Sequence, residues 1–561
     1  MKQGKKMMIY QLMPRWFTNC NEHCKPHGTI GQNGVGKFNE IDEKRLRSIK
    51  SLGMTHVWYT GIIEHATATD YSSHGIAPCN PHVVKGEAGS PYAIRDYYDV
   101  CPDLAVNVEN RMAEFQALVE RSHRLGLKVI IDFVPNHVAR EYGSDAKPAG
   151  VKDLGEDDLL NMFFSPKNNF YYIVGQDFSP HGVDLGTGDK AYREFPARAT
   201  GNDCFTASPN RDDWYETVKL NYGVDPWNGS THFDPIPPTW TQMLDILRFW
   251  AGKGVDGFRC DMAHMVPVEF WHWAIGRIKE AYPHIIFIAE IYDTGLYHRY
   301  IHEGGFDYLY DKVTRYDTLR GILTDGWPAN TLTHCWQAVE GIGEHMLNFL
   351  ENHDEQRIAS RHFLGDPFLA FPALVVSATM SRGPFMLYSG QELGEPAADA
   401  EGYSGPDGRT TIFDYWSVPT LRRWHQGKSL PDERRLRALY RKVLRLCNSH
   451  PALASGQFFD LMYVNQDTLD TDKQYAYLRH TDGTMVLIAV NFGNNPIDTA
   501  VRIPDHALSC AQLPHGEYSC HDLLDTNQQV FSVSLESDGT VPIHVDPHGA
   551  IMLAIEPLSK K

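Results

Sequence analysis

The chain has 561 residues, too many for one ordinary hydrophobic core, so two or three domains are expected. With 42% hydrophobic and 22% charged residues and no repeat or long charge block, it reads as a globular protein. A formal net charge of −18 repels a phosphate backbone and an anionic membrane surface alike, which excludes nucleic acid and membrane as partners and favours a neutral ligand.

The opening stretch MKQGKKMMIYQLMPRW is basic but lacks the apolar run of a signal peptide, and no later run could span a bilayer. A cytoplasmic location is the expectation. Ten cysteines without a disulfide-framework spacing agree with a reducing compartment. Cys20, His23 and Cys24 form a small cluster, but no second pair of ligands lies near, so a structural loop feature is expected there.

Up to residue 450, β-like runs alternate with helical patterns. The strand candidates are MIYQLM, THVWYT, LKVIIDFV, VDGFRC, IIFIAEIY, FDYLY, MLNFLEN and PFMLYSG. Amphipathic helices precede the second and third of them, in DEKRLRSIKSLG and NRMAEFQALVERSHRLG, each closed by a glycine suited to a C-terminal cap. Eight such units predict an α/β fold, a closed (β/α)8 TIM barrel, and no glycine-rich dinucleotide fingerprint follows the first strand.

Between DFVPNH and the helix TWTQMLDILRFWAGKG lie roughly a hundred residues where a loop between strand and helix needs only a few. An inserted domain over 138–240 is expected, with barrel segments at 1–137 and 241–450. Its aromatics, as in NNFYYIVGQDF, are expected mostly to fill its own small core. From 451 to 561 the alternating runs QYAYLRH, TMVLIAVNFG, TAVRIP, QVFSVSLES and AIMLAI predict a C-terminal all-β sandwich.

The stretch GVDGFRCDMAH carries the first chemical signal. Arg259 and Asp261 are two apart on a strand, hence on one face, which at the C-terminal end of a barrel strand is the open mouth; Cys260 turns toward the helices. The same parity puts Asp132, Val134 and Asn136 together, ends a neighbouring strand on Glu290, and pairs Asn352 with Asp354. One such carboxylate is usually a satisfied ion pair, but polar residues at the ends of four strands suggest a site. An arginine beside Asp261 favours its anion, as a nucleophile requires, while the apolar company of Glu290 raises its pKa and keeps a proton for a leaving oxygen. With Asp354 to stabilise an oxocarbenium ion, the set suits cleavage of a glycosidic bond by retention, in which the two working carboxyls stand ~5 Å apart.

At these residues the sequence resembles the α-amylase family, glycoside hydrolase family 13. The likeness runs through IYQLMPRWF, SPYAIRDYY, DFVPNH, GFRCD, AEIYD, ENHD and MLYSGQELGE, in order and over nearly the whole chain. It implies Asp261 as nucleophile, Glu290 as acid/base and Asp354 as transition-state stabiliser. It also implies Arg259 as the residue orienting the nucleophile, His137 and His353 as partners of sugar hydroxyls, Tyr92 as the ring beneath the sugar, and Asp132 as a structural brace. No cofactor is expected to be required; calcium is the one ion the resemblance implies, with Asn136 as its ligand. Where many relatives carry a Lys-His pair after the nucleophile, this chain has His264 and Met265.

The function expected is a retaining hydrolase of α-glucosidic bonds in α-glucans or maltooligosaccharides, working through a covalent glucosyl-enzyme. A glucanotransferase of the same family and a catalytically silent carbohydrate-binding protein are the alternatives. A metal-dependent barrel hydrolase using Asp132, His137, Asp261, Glu290 and His353 is disfavoured, because MIYQLMPRW offers no histidine pair at the first strand.

Overall fold

The computed structural model describes residues 5–398, 400–525 and 529–558. Eight parallel strands close into a barrel: β1 (Met8–Leu12), β2 (His56–Tyr59), β3 (Lys128–Phe133), β4 (Gly257–Cys260), β5 (Ile286–Ala289), β6 (Tyr308–Tyr310), β7 (Met346–Phe349) and β8 (Phe385–Tyr388), each joined to the next and β8 back to β1. All eight fall within the runs read from the sequence. The barrel has two apolar populations, as a closed sheet demands. Ile9, Trp58, Ile130, Ile288, Tyr310, Leu347, Phe349 and Met386 pack inside it, while Val57, Ile131, Phe258, Cys260 and Phe287 belong to the larger core shared with the helices.

Helix and strand boundaries follow local chemistry. The helix Glu43–Ser51 starts where Asp42 accepts a bond from the backbone of Arg45 and buries Leu46 and Ile49. Gly53 follows at φ +97°, a left-handed turn that a side chain would strain. In the helix Arg111–Arg124, Phe115, Leu118, Val119 and Ser122 form the buried stripe. The helix Pro238–Gly252, leading into β4, has proline at its first turn and buries both Trp240 and Trp250.

Two excursions rise from the strand ends. After β2 the chain makes a ribbon of Ile63–His65 against Ile94–Val100, which the sequence reading did not anticipate. After β3 come the ribbon of His137–Ala139 with Thr217–Lys219 and that of Tyr172–Ile173 with Ala197–Arg198. Ile173, Phe178, Tyr192, Ala197, Ala207 and Tyr215 form a satellite core there, joined by Val83 from the first excursion. The aromatics of this insert are therefore mostly structural.

The C-terminal region is all-β apart from short helices. Strands β9 (Gln457–Asp460), β10 (Gln474–Thr481), β11 (Thr484–Asn491), β12 (Ile497–Ile503), β13 (Gly516–Asp522), β14 (Val530–Leu535), β15 (Gly539–Val545) and β16 (Ala550–Pro557) form two sheets. Six of them run in the order β9-β10-β11-β16-β13-β14, and β12 pairs with β15. The reading missed β9, β13 and β15, each half-exposed or weakly apolar. All ten cysteines are unpaired. Among the described residues no helix is long and apolar enough to cross a membrane.

Candidate active site

Register sets the site. Arg259 on β4 lies beside Asp132 of β3 and Ile288 of β5, so its side chain enters the barrel above the interior apolar layer. There it is almost wholly buried among aromatic faces, with Trp58, Tyr92 and Tyr310 each 5.3–5.4 Å from the guanidinium. Its Nε donates to the Tyr310 hydroxyl at 3.1 Å. One terminal nitrogen donates to Asp261 Oδ1 at 2.7 Å and the other stands 2.8 Å from Glu290 Oε1. One guanidinium thus hydrogen-bonds Asp261 and ion-pairs with Glu290, holding both carboxyls close to a single charge.

Asp132 lies deeper. Its Oδ2 accepts from the Trp58 indole at 3.1 Å and the Gly61 backbone at 3.0 Å, and its Oδ1 is 3.7 Å from Arg259. Glu290 accepts the Met262 backbone N–H at 2.9 Å through Oε2 and the Tyr292 hydroxyl at 2.5 Å through Oε1. Met262 is left-handed at φ +44°, which turns the chain sharply after Asp261.

Beyond β7 the backbone stops alternating. Asn352 Oδ1 folds back to accept the N–H groups of Asp354 and Glu355 at 2.8 and 2.9 Å, so Asn352 caps a turn and does not share a face with Asp354. The turn brings His353 inward instead. Its Nε2 is 2.6 Å from the Tyr92 hydroxyl and 3.0 Å from Asp354 Oδ2, its Nδ1 is 2.8 Å from Gln11 Nε2, and its ring stacks on Tyr92 at 5.2 Å. A similar departure follows β3: Val134 joins the outer core and not the face of Asp132. His137 begins the ribbon to the insert, with its ring against that of Trp214 at 5.3 Å.

These groups surround a cavity of about 300 Å³, at the lower end of small-molecule sites. Asp261, Glu290, Asp354, Tyr92 and His137 line it together with Trp214, Tyr292, Phe413 and the buried pair Lys85–Glu216, 3.0 Å apart. Arg259, His353 and Asp132 are not among its lining residues and act on it through the side chains they hold. A larger cavity of about 580 Å³ lies away from the strand ends, against β9 and the segment 339–344, and contains none of the expected site residues.

The three acids differ electrostatically. Burial pushes Glu290 above the ordinary carboxylate range, against the pull of Arg259, with Asp261 and Asp354 adding to the push and the Tyr292 hydrogen bond opposing it. Asp261 is also raised, because burial outweighs the attraction of Arg259 that the sequence reading counted on to favour the anion. Asp354 is the most open of the three. Desolvation would raise it, but His353 at 3.0 Å and then Arg259 hold it down to about 2. Burial brings His137 down to about 4, a neutral imidazole at ordinary pH.

The calcium expected at Asn136 meets an obstacle. Asn136 Oδ1 accepts a hydrogen bond from the Lys219 ammonium, and its amide nitrogen donates to the Gly201 carbonyl at 2.7 Å. Among the described residues no group of three or more His, Cys, Asp and Glu side chains could hold a metal ion. That covers Cys20, His23 and Cys24: Cys20 is exposed and Cys24 points its thiol at the Asn33 carbonyl, 3.6 Å away.

Some site residues escaped the sequence reading. Gln11, a lone amide in an otherwise apolar β1, and Tyr292, two residues past Glu290, carried a visible signal. Trp214 and Glu216 share the aromatic-rich stretch RDDWYETVKLNYG, whose rings are expected mostly to fill the insert's core, while Lys85 and Phe413 come from distant loops with no local pattern to mark them.

Fold and site define a (β/α)8-barrel protein in which three carboxyl groups and one guanidinium converge at the C-terminal ends of the strands. The α-amylase catalytic-domain model matches residues 11–171 and 237–410, and the chain belongs to the α-amylase family, glycoside hydrolase family 13. The unmatched stretch between these segments falls in the insert. The α-amylase MalA of Haloarcula japonica is 24% identical over 517 residues, covering 91% of this chain and 58% of that protein. A cyclomaltodextrin glucanotransferase of a Bacillus species (strain 1011) is 22% identical over 514 residues, covering 87% of this chain and 60% of that protein. The chain thus spans about three fifths of the length of these two relatives. Among solved structures, a maltogenic α-amylase of Thermotoga neapolitana matches with a TM-score of 0.63 at 18% identity, over 98% of this chain and 99% of that one, a likeness of fold.

Proposed function

We propose that the protein is a retaining glycosidase that cleaves α-glucosidic bonds of α-glucans or maltooligosaccharides through a covalent glucosyl-enzyme. The observation that carries this reading is the shared guanidinium: Arg259 bonds Asp261 on one nitrogen and meets Glu290 on the other, with Asp354 lining the same cavity. Two carboxyls on one guanidinium match the ~5 Å separation of a retaining pair better than the wider gap an inverting enzyme needs for its water.

In the first step a carboxylate oxygen of Asp261 bonds to the anomeric carbon as the glycosidic C–O bond breaks. Glu290, kept protonated by its buried setting, gives its proton to the departing oxygen. Asp354, an anion at any working pH, faces the positive charge that develops on the ring. In the second step Glu290 removes a proton from water as that water attacks the anomeric carbon, and Asp261 leaves as the free carboxylate. Tyr92 and Trp214 supply ring faces for a sugar, and neutral His137 can bond its hydroxyls.

A second reading, transfer of the glucosyl group to another sugar, draws on the apolar rim of Trp214, Tyr292, Ile412 and Phe413. Such a rim favours an acceptor with a carbohydrate face over water. Ten unpaired thiols support a cytoplasmic setting. The test is a panel of maltooligosaccharides, cyclodextrins, pullulan, trehalose and sucrose, followed for product length and anomeric form. Hydrolysis with retention yields shorter sugars born as the α anomer, transfer yields products longer than the substrate, and β-anomeric products would end the retaining proposal.

A further inference from the structure

Asn136, Asp203 and Met265 aim three oxygens at one point, and that point holds an ammonium group. Lys219 Nζ donates to Asn136 Oδ1, stands 2.7 Å from Asp203 Oδ1, and donates to the Met265 carbonyl at 3.2 Å. A lysine ammonium has three N–H donors, and these acceptors use all three. Lys219 is only 6% exposed and Asn136 is fully buried, while Lys219, Asp203 and Met265 border a cavity of about 610 Å³.

The three acceptors come from different parts of the chain. Asn136 follows β3, Asp203 belongs to the insert, and Met265 follows the sharp turn after Asp261. Lys219 itself sits on the insert ribbon directly opposite His137. One side chain thereby ties the insert to the loop that carries Asp261 and to the residue beside His137.

Oxygens from three segments gathered on one positive charge are what a bound calcium ion would also collect, but with Lys219 among them they leave calcium no place. Calcium takes six to eight oxygens at 2.3–2.6 Å, usually with several carboxylates. The three here would need water to complete such a shell, and their centre is already occupied by the Lys219 ammonium, which would repel another cation. We infer that Lys219 takes the place of a bound divalent cation in this protein, locking the insert onto the barrel with its own ammonium group, so that the site needs no calcium.

The experiment compares the unaltered protein with Lys219→Ala and Lys219→Met, reading thermal midpoint and calcium bound at equilibrium dialysis. The unaltered protein should keep its midpoint within about 1 °C between excess chelator and millimolar calcium, because nothing binds the folded state at this position. Lys219→Ala should melt lower, since Asn136 and Asp203 lose their donor, and should recover several degrees with calcium but not with potassium. Lys219→Met fills the space with an apolar chain and should melt lower without any calcium response. Calcium that raises the midpoint of the unaltered protein, with about one ion bound, overturns the inference. So does a Lys219→Ala protein that folds and gains nothing from calcium. If Lys219→Ala fails to fold, the chelator and calcium series on the unaltered protein decides the matter by itself.

Discussion

Arg259 donates to Asp261 across 2.7 Å while lying nearly sealed from solvent on β4, and Asp261 is the first residue past the end of that strand. The pair is local in sequence, yet its effect is not, because the other terminal nitrogen of the same guanidinium reaches Glu290, just past the end of β5. Replacing Arg259 with lysine keeps the charge but not the fork. Turnover by Arg259→Lys is expected to fall by about 10²-fold or more. Arg259→Ala leaves two buried carboxyls without their cation and should cost about 3–5 kcal/mol of stability. Steady-state rates and denaturant melts of both variants separate the two effects; unaltered turnover by Arg259→Lys would mean that the fork geometry is irrelevant.

Asp354 is the acid whose removal should hurt chemistry most cleanly. It is the most open of the three and its carboxyl is held down to about 2 by His353. Asp354→Asn preserves shape and should leave the melting temperature nearly unchanged while kcat falls by about 10²–10³-fold. A large rise in KM with unchanged kcat would make Asp354 a ground-state binding group instead.

The pH profile of kcat/KM should report Glu290 on its alkaline side, since loss of its proton removes the acid. Burial raises that pKa, so the alkaline limb should lie above the ordinary glutamate value of about 4.3. The Tyr292 hydroxyl donates to Glu290 and stabilises the anion. Tyr292→Phe therefore destabilises the anion, raises the pKa further, and should move the alkaline limb to higher pH. A shift toward lower pH would contradict the assignment.

Trp214 reaches the cavity from the insert with its ring against His137. As a stacking face it should act on binding more than on bond cleavage. Trp214→Ala is expected to raise KM by about tenfold, in line with the 0.5–1.5 kcal/mol of an aromatic contact plus its lost area, with kcat changed far less. Product-length patterns should also shift if the rim guides an acceptor.

Much of this architecture could be read from residue order alone. The eight strands were legible because buried parallel strands are short apolar runs bounded by turn residues, and Arg259, Asp261 and Cys260 took the faces that strand parity assigns. Parity failed where strands ended: Val134 and Asn352 turned away because Phe133 and Phe349 are the last extended residues, and turns obey backbone hydrogen bonding rather than alternation. Burial of Asp261 was likewise invisible, so the direction of its pKa was misjudged from Arg259 alone. Lys219 could not be found at all, because its partners lie 83, 16 and 46 positions away.

The most direct test of the account is to catch the sugar on the enzyme. With Glu290→Gln and an activated α-glucosyl fluoride, whose leaving group needs no acid, the first step should proceed and the second should stall. Mass spectrometry of the digested protein should then find one glucosyl residue esterified to Asp261. Modification of another residue, or full turnover by a folded Asp261→Ala protein, would contradict the central claim.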